Sequence, residues 1–394
     1  MQETWRWFGP EDTVSLDNIV QAGASGVVTA LHHIATGELW PAADIAARKT
    51  EIEASGLEWS VVESIPVHND IKTRSGDYRR HIENYKQSLR HVGAAGIEVV
   101  CYNFMPVVDW TRTNLLYRLP NASHALRFEM TDFAAYDVFI LRREQAEADY
   151  DPELLARASA RFEGMDEAER ELLEKNIIAG LPGGEGSYRR DEIRAAIAEF
   201  IALGTEGLRR NLFEFLKEVV PAAQEAAVRL CIHPDDPPFT LFGLPRVVST
   251  AEDVRSLLDA VPSLNNGLTL CAGSFGARGD NDLVAMVREF GERIHFVHLR
   301  NVKREPDGSF FEAEHLDGDN DMVGLISALL DEEQRRAEAG RSDRIPMRPD
   351  HGHLLGDEIG KEGVNPGYSY GGRLKGLAEL RGVMYALKRV RCGR

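Results

Sequence analysis

His233, Cys271, His298 and Asp350 are side chains of the kinds that hold a transition metal, and each closes a short apolar run: VRLCIH, GLTLCAG, IHFVHLR and IPMRPD. Two imidazole nitrogens, one thiolate and one carboxylate bind zinc, Fe(II) or Mn(II), with softness alone favouring zinc, and a catalytic ion needs a further position open to substrate. A histidine or cysteine at the end of a strand usually packs or caps, so any one of the four says little by itself. Four successive runs that all end in a coordinating group are a different matter, because packing has no reason to arrange them so. The first opens into CIHPDDPP, residues 231–238, where three prolines fix φ and remove backbone donors, so that His233, Asp235 and Asp236 sit in a stiff turn. The two aspartates are expected either to orient His233 or to cap the helix that follows.

Other residues are candidates for touching a substrate. Arg300, two residues past His298, and Arg348 are the cations placed to hold a carboxylate, and His32 and Asn103 stand at the ends of two further apolar runs. Two acidic stretches fail as sites. DGDNDM, residues 317–322, begins like a calcium loop but has Met322 where glycine is required and Ala328 at the twelfth position, so it reads as a turn. ARGDND, residues 277–282, supplies helix caps.

Ligands far apart along the chain meet only if the fold brings their strand ends together. Eight short runs rich in β-branched residues can be read: TWRWF, GVVTALH, WSVVES, IEVVCYNF and the four above. Between most of them lie helical patterns such as YRRHIENYKQSLRHVGAAG and NDLVAMVREFGER, with apolar residues three and four apart. Strand alternating with helix predicts parallel βαβ units, and eight units predict a closed (β/α)8 TIM barrel, with an open doubly wound sheet as the alternative. In such a barrel the C-terminal strand ends converge on one face, where the four ligands would meet. The whole of residues 1–394 reads as one barrel domain. The alternation breaks once, at residues 105–227, far longer than a usual connection. It reads as a helical insertion, with Asp151-Pro152 as a helix start, Gly180 and Gly204 as helix ends, and LPGGEGS as a loop or hinge, placed either as a lid or as an oligomer contact.

Composition narrows the partners. The chain of 394 residues is 43% hydrophobic and carries 46 basic against 63 acidic side chains, a net charge of −17 that repels phosphate backbones, so nucleic acid is not expected. An anionic substrate would need local cations or a metal. Four cysteines without a pairing pattern read as reduced thiols, and no signal peptide or membrane span is visible, so a cytoplasmic location is expected, with a homodimer as the expected assembly.

The residues themselves are recognisable. WRWFGPEDTVSL, GVVTALHHI, CYNFMPVVDWTRT, HPDDPP, NGLTLCAGS, FVHLRNVKRE, RPDHGH and NPGYSYGGRLKGLAELRG closely resemble mannonate dehydratase, over nearly the whole chain. The resemblance implies a barrel similar to xylose isomerase and conversion of D-mannonate to 2-dehydro-3-deoxy-D-gluconate plus water in hexuronate catabolism. It also implies Mn(II) or Fe(II) on His233, Cys271, His298 and Asp350, overriding the preference for zinc, and His351 and Tyr368 as the acid–base residues. An aldose–ketose isomerase of similar fold, or a sugar-acid-binding protein without turnover, are the alternative readings.

Overall fold

The computed structural model describes residues 1–178 and 190–391; LPGGEGS, Gly180 and Cys392 lie outside the described residues. In chain order the strands are β1 (Gln2–Arg6), β2 (Gly26–Thr29), β3 (Glu58–Glu63), β4 (Val99–Tyr102), β5 (Asn114–Arg118), β6 (His124–Phe128), β7 (Arg229–Ile232), β8 (Asn266–Cys271), β9 (Ile294–His298), β10 (Val302–Arg304), β11 (Phe310–Glu312) and β12 (Pro346–Arg348). Eight of them close a barrel in the order β1-β12-β9-β8-β7-β4-β3-β2. All neighbouring pairs are parallel, and closure is made by Gln2 opposite Pro346 and Thr4 opposite Gly26. The open-sheet alternative is excluded. Every predicted run holds a barrel strand, shifted by a few residues at its ends.

These strands are buried on both faces, which is why they read as nearly continuous apolar runs. Val28, Val61, Val99, Cys101, Cys231 and Phe296 fill the barrel interior, while the outward-facing residues pack under the helices. Alternation along a strand then fixes what reaches the mouth: in β9, Phe296 points inward, so His298 does as well, and its ring lies edge-on over Phe296 at 4.6 Å. In β8 the same period puts Thr269 and Cys271 inside, with Thr269 Oγ1 3.2 Å from Cys101 Sγ. Among the described residues no helix is long and apolar enough to cross a membrane.

The long connection between β4 and β7 differs from the expected helical insertion in two ways. It carries the hairpin β5–β6, which joins β10 and β11 from the segment after β9 in a four-stranded antiparallel sheet of order β10-β11-β6-β5. The alternating burial of NLLYR and the turn at LPNAS favour a hairpin locally, and Phe128 opposite Phe310 supplies the tertiary partner. The helix Arg190–Glu225 is interrupted at Gly204, whose φ of 67° departs from helix where IALG is predicted to end. Beyond that glycine the helix packs on the helix Tyr78–Ala94 and belongs to the outer ring of the barrel. Its Phe215 is fully buried, with ring centroids 5.2 Å from Tyr85, 5.9 Å from Tyr102 and 5.7 Å from Phe104. Pro152 stands at the start of its helix behind the Asp151 cap, and Asp282 and Asp321 cap the helices Leu283–Phe290 and Met322–Glu338, as expected of turn and cap residues.

Phe215→Ala would open a cavity between the helix ring and β4. The expected loss is about 3–5 kcal/mol, read as a fall in the denaturant midpoint, whereas substitution of the exposed Leu172 should cost less than about 0.5 kcal/mol.

Candidate active site

The four strand ends converge. One ligand atom each from His233, Cys271 and His298 lies within 4.8 Å of the others. Asp350 stands beside this trio, its Oδ2 3.8 Å from Cys271 Sγ and 3.8 Å from His298 Nδ1. Donors bound at about 2.0–2.3 Å to a common ion stand roughly 3–4 Å apart, so the separations of Asp350 from Cys271 and His298 fit a shared cation. His298 is completely buried; its Nε2 stands 3.2 Å from Glu63 Oε1 outside good hydrogen-bond geometry, and its Nδ1 makes no hydrogen bond. A buried ring nitrogen without a partner is costly unless something coordinates it, and the N, S and O donor set suits a first-row divalent metal. The sulfur of Cys271 accepts from the backbone N–H of Ser274 at 3.4 Å and from its hydroxyl at 3.1 Å, bonds suited to a thiolate. His233 Nδ1 is tied to the carbonyl of Pro234 at 2.7 Å, which leaves Nε2 for a ligand role.

Two backbone facts hold this cluster. Asp350 has φ +64°, a left-handed conformation uncommon for a residue with a side chain, and it turns the carboxylate back toward the strand ends. Gly273, in CAGS, lies so close to Arg300 that a Cβ would meet its Nε at 1.8 Å. Only glycine lets Arg300 cross there.

The aspartates of HPDDPP act differently from the expectation. Neither orients His233, and the helix Ala251–Ala260 is capped instead by Thr250 and Asp253. Asp235 Oδ2 accepts from the N–H groups of Val247 and Val248 and from Ser249 Oγ at 2.8–3.1 Å, closing the loop on itself. Asp236 accepts from Arg112 at 2.8 Å, Arg300 at 2.6 Å and Ser274 at 2.9 Å. Burial alone would raise its pKa, but the two guanidiniums outweigh burial and hold it well below the carboxylate range.

Beside the cluster stands a hydrogen-bonded row. His351 Nδ1 lies 2.7 and 2.8 Å from the two carboxylate oxygens of Glu312, and its Nε2 lies 3.2 Å from the hydroxyl of Tyr368. A carboxylate at Nδ1 fixes the proton there in the neutral ring, so Nε2 accepts from the phenol. Glu312 is pushed up by burial and pulled down further by His351, Arg300 and Arg112, to about 2. Burial raises the Tyr368 phenol above its ordinary value.

These groups open into a cavity at the barrel mouth, lined by His233, Asp350, His351, Tyr368, Arg300 and Arg348 among others, with Cys271 and His298 buried beneath. Asp109, Trp110 and Ile178 of the long connection also line it. His32 and Asn103 are there too. His32 Nε2 is buried without a partner, and burial, reinforced by Arg6 and Arg48, lowers its pKa to about 3, so the ring is neutral. Asn103 Nδ2 donates to Asp109 at 3.4 Å. Arg300 and Arg348 are already engaged by protein acids: Arg300 with Asp236 and, at 3.1 Å, with Asp350; Arg348 with Glu63 at 3.1 Å and with Asp350. Four functional neighbours escape the sequence reading. Glu63, 3.2 Å from His298 Nε2, and Arg6 end β3 and β1, where the strand-end rule applied to the other strands would have found them. Glu312 and Arg112 sit on or beside the small sheet, where no such rule points.

The fold and site define an enzyme of the parallel-barrel class whose chemistry lies at the C-terminal mouth, with a candidate divalent-metal centre and an adjoining histidine–tyrosine pair. The D-mannonate dehydratase (UxuA) family matches residues 1–393, and the chain belongs to that family of hydro-lyases. A mannonate dehydratase of Saccharophagus degradans is 71% identical over 389 residues, 98% of this chain and 98% of its own. Mannonate dehydratase 2 of Agrobacterium fabrum is 61% identical over 389 residues, 99% of this chain and 98% of its own. The crystal structure of mannonate dehydratase from Streptococcus suis superposes with a TM-score of 0.79 at 35% identity, over 99% of this chain and 94% of that one. A xylose isomerase domain protein from Planctomyces limnophilus, at 9% identity with a TM-score of 0.51 over 100% of this chain and 99% of its own, shares the fold.

The depressed Glu312 pKa makes stability depend on pH. A carboxylate whose value falls from 4.5 to about 2 on folding contributes stability that is complete above pH 4.5 and disappears as the pH falls toward 2. Glu312→Gln should therefore lower the unfolding midpoint by a constant amount between pH 7 and pH 5, with the gap to wild type narrowing below that. A gap that stays constant down to pH 3 would show that Glu312 is not held ionised by its neighbours.

Proposed function

We propose that this chain converts D-mannonate to 2-dehydro-3-deoxy-D-gluconate and water at the barrel mouth, with Mn(II) or Fe(II) held by His233, Cys271, His298 and Asp350. The observation that carries the proposal is the row Glu312–His351–Tyr368, in which two proton-transfer groups 3.2 Å apart face the same cavity as His233 and Asp350, with Cys271 and His298 directly beneath. When bound there, a divalent cation supplies Lewis-acid stabilisation of charge developing on substrate oxygens.

The reaction takes the proton from C2, α to a carboxylate, and expels the hydroxyl from C3. The proton is weakly acidic and hydroxide is a poor leaving group, so one group must accept and another must donate. His351 Nε2 and Tyr368 Oη are the pair in reach of one bound molecule. Glu312 at Nδ1 favours a gain of charge on the ring, which supports His351 as acceptor of the C2 proton, and the protonated phenol of Tyr368 is a donor for the departing hydroxyl. The side chains of Trp110 and Ile178 lining the cavity support a role of the long connection in excluding water. The acidic composition and unpaired cysteines support a cytoplasmic location, and a homodimer, the commonest assembly of soluble enzymes, completes the reading.

Two experiments test this. Chelation should abolish formation of the keto acid from D-mannonate, and Mn(II) or Fe(II) should restore it, while His233→Ala should lose bound metal by elemental analysis and remain folded. Full turnover in protein shown to be metal-free would overturn the ligand assignment, and absence of product from metal-loaded wild type would favour a binding protein. His351→Asn and Tyr368→Phe should each keep the metal and lower kcat by roughly 10²-fold or more. Exchange of the C2 hydrogen with deuterated water should survive in Tyr368→Phe and vanish in His351→Asn; the reverse pattern would exchange the two roles.

A further inference from the structure

We infer that Arg6, rather than Arg300 or Arg348, is the guanidinium that receives the carboxylate of the substrate; the inference rests on the sugar-acid reading above. Arg6 ends β1, is 8% exposed and lines the cavity. Its Nη1 donates to the backbone carbonyl of Glu63, and its Cζ lies 4.8 Å over the ring of Phe8. Neither partner is an anion. Among the described residues Arg6 forms no ion pair, whereas Arg300 is paired with Asp236 and Asp350 and Arg348 with Glu63 and Asp350. The carboxylate of Glu63 attracts Arg6 through space, but it is taken up by Arg348 and His298. Burial lowers the pKa of Arg6 while the fork stays charged.

A buried guanidinium without a counter-ion is costly, and a protein retains one where a ligand brings the missing charge. With one fork nitrogen anchored on the Glu63 carbonyl, the remaining donors are left for a planar two-oxygen acceptor, the shape of a carboxylate. The neighbours fit that occupant. His32, close enough to Arg6 to feel its charge, is neutral with a buried, unpartnered Nε2, so it suits a hydroxyl rather than a second anion. Phe8, between them, meets the Tyr368 ring edge-on at 4.8 Å, which puts this wall directly beside the proton-transfer pair. A carboxylate on Arg6 therefore places the adjoining carbon near Tyr368 and His351, where the C2 proton must leave. The chain carries −17 overall, and a buried guanidinium without an ion pair at the mouth offers an anion a local attraction against that adverse field.

The test compares D-mannonate with D-mannonamide, which is neutral at the same position, by calorimetric titration of metal-loaded protein. Arg6→Gln should weaken D-mannonate about 10- to 100-fold, the loss expected for a charge-assisted bidentate contact, and leave D-mannonamide within a factor of two or three. Arg6→Lys, which keeps the charge without the fork, should fall between, and added guanidinium ion should restore D-mannonate binding to Arg6→Ala. Equal weakening of both ligands, or wild-type affinity of Arg6→Gln for D-mannonate at unchanged metal content and circular dichroism, would overturn the inference. Should Arg6→Gln fail to fold, the acid-to-amide affinity ratio of Arg6→Lys decides: a ratio equal to that of wild type rejects the role. Failure of wild type itself to bind D-mannonate would remove the functional reading instead, and this inference with it.

Discussion

Everything at the mouth of this barrel depends on the pairing of buried opposite charges. Asp236 joins Arg112 to Arg300, Asp350 joins Arg300 to Arg348, and Arg348 reaches Glu63. Arg112 also holds Glu312 at 2.9 Å, and Glu312 holds His351. All of these side chains are nearly or wholly removed from water, so each ion has lost its hydration and must recover it from a neighbour. Removing one partner from such a set typically costs about 3–5 kcal/mol because it strands the other. The network is thus rigid as well as stable, and rigidity is what a site needs when a candidate ligand aspartate and a candidate acid–base histidine are consecutive residues.

The network also explains why the fold carries so much beyond a minimal barrel. Asp236 comes from the stiff turn after β7, Arg112 from the segment after β4, Glu312 from the small antiparallel sheet and Asp350 from just after β12. No two of the four are local in sequence, so their geometry depends on loops that cannot drift. The prolines of HPDDPP fix one side, and Asp235 ties that loop to Val247, Val248 and Ser249. The sheet fixes the other, because β6 and β11 pair while Arg112 stacks between Trp110 and Phe310, 4.9 Å from each ring. Through Arg112 the long connection supports the row of Glu312, His351 and Tyr368, and its Asp109, Trp110 and Ile178 line the cavity beside it.

Sequence reasoning reaches those features whose signal is periodic or positional. Two-residue alternation in IHFVH fixes His298 as inward-facing, and the convergence of parallel strand ends brings His233, Cys271, His298 and Asp350 together without any knowledge of the loops. The same rule extended to β1 and β3 yields Arg6 and Glu63. Glu312 lies beyond it, since FFE is a short strand of a second sheet whose place is decided by pairing with β6, a contact between residues about 180 positions apart that no local pattern encodes. The electrostatic roles of Arg300 and Arg348 are similarly non-local. From sequence both look free for a ligand; in the fold each faces carboxylates from other strands.

Charge balance ties the candidate metal, the buried pairs and the substrate into one constraint. The carboxylates of Glu63, Asp236, Glu312 and Asp350 face the guanidiniums of Arg6, Arg112, Arg300 and Arg348, so the mouth is near neutral as the chain builds it. Coordination takes the thiol of Cys271 as thiolate, so a divalent cation on the four strand-end donors leaves one positive charge in excess. A monocarboxylate cancels it. A neutral aldose leaves the excess in place, and a dicarboxylate overshoots it in a site with no further unpaired cation among the guanidiniums that line it. On this count a preference for a singly charged sugar acid is a property of the whole buried ensemble, with Arg6 the guanidinium lining the cavity that forms no ion pair among the described residues.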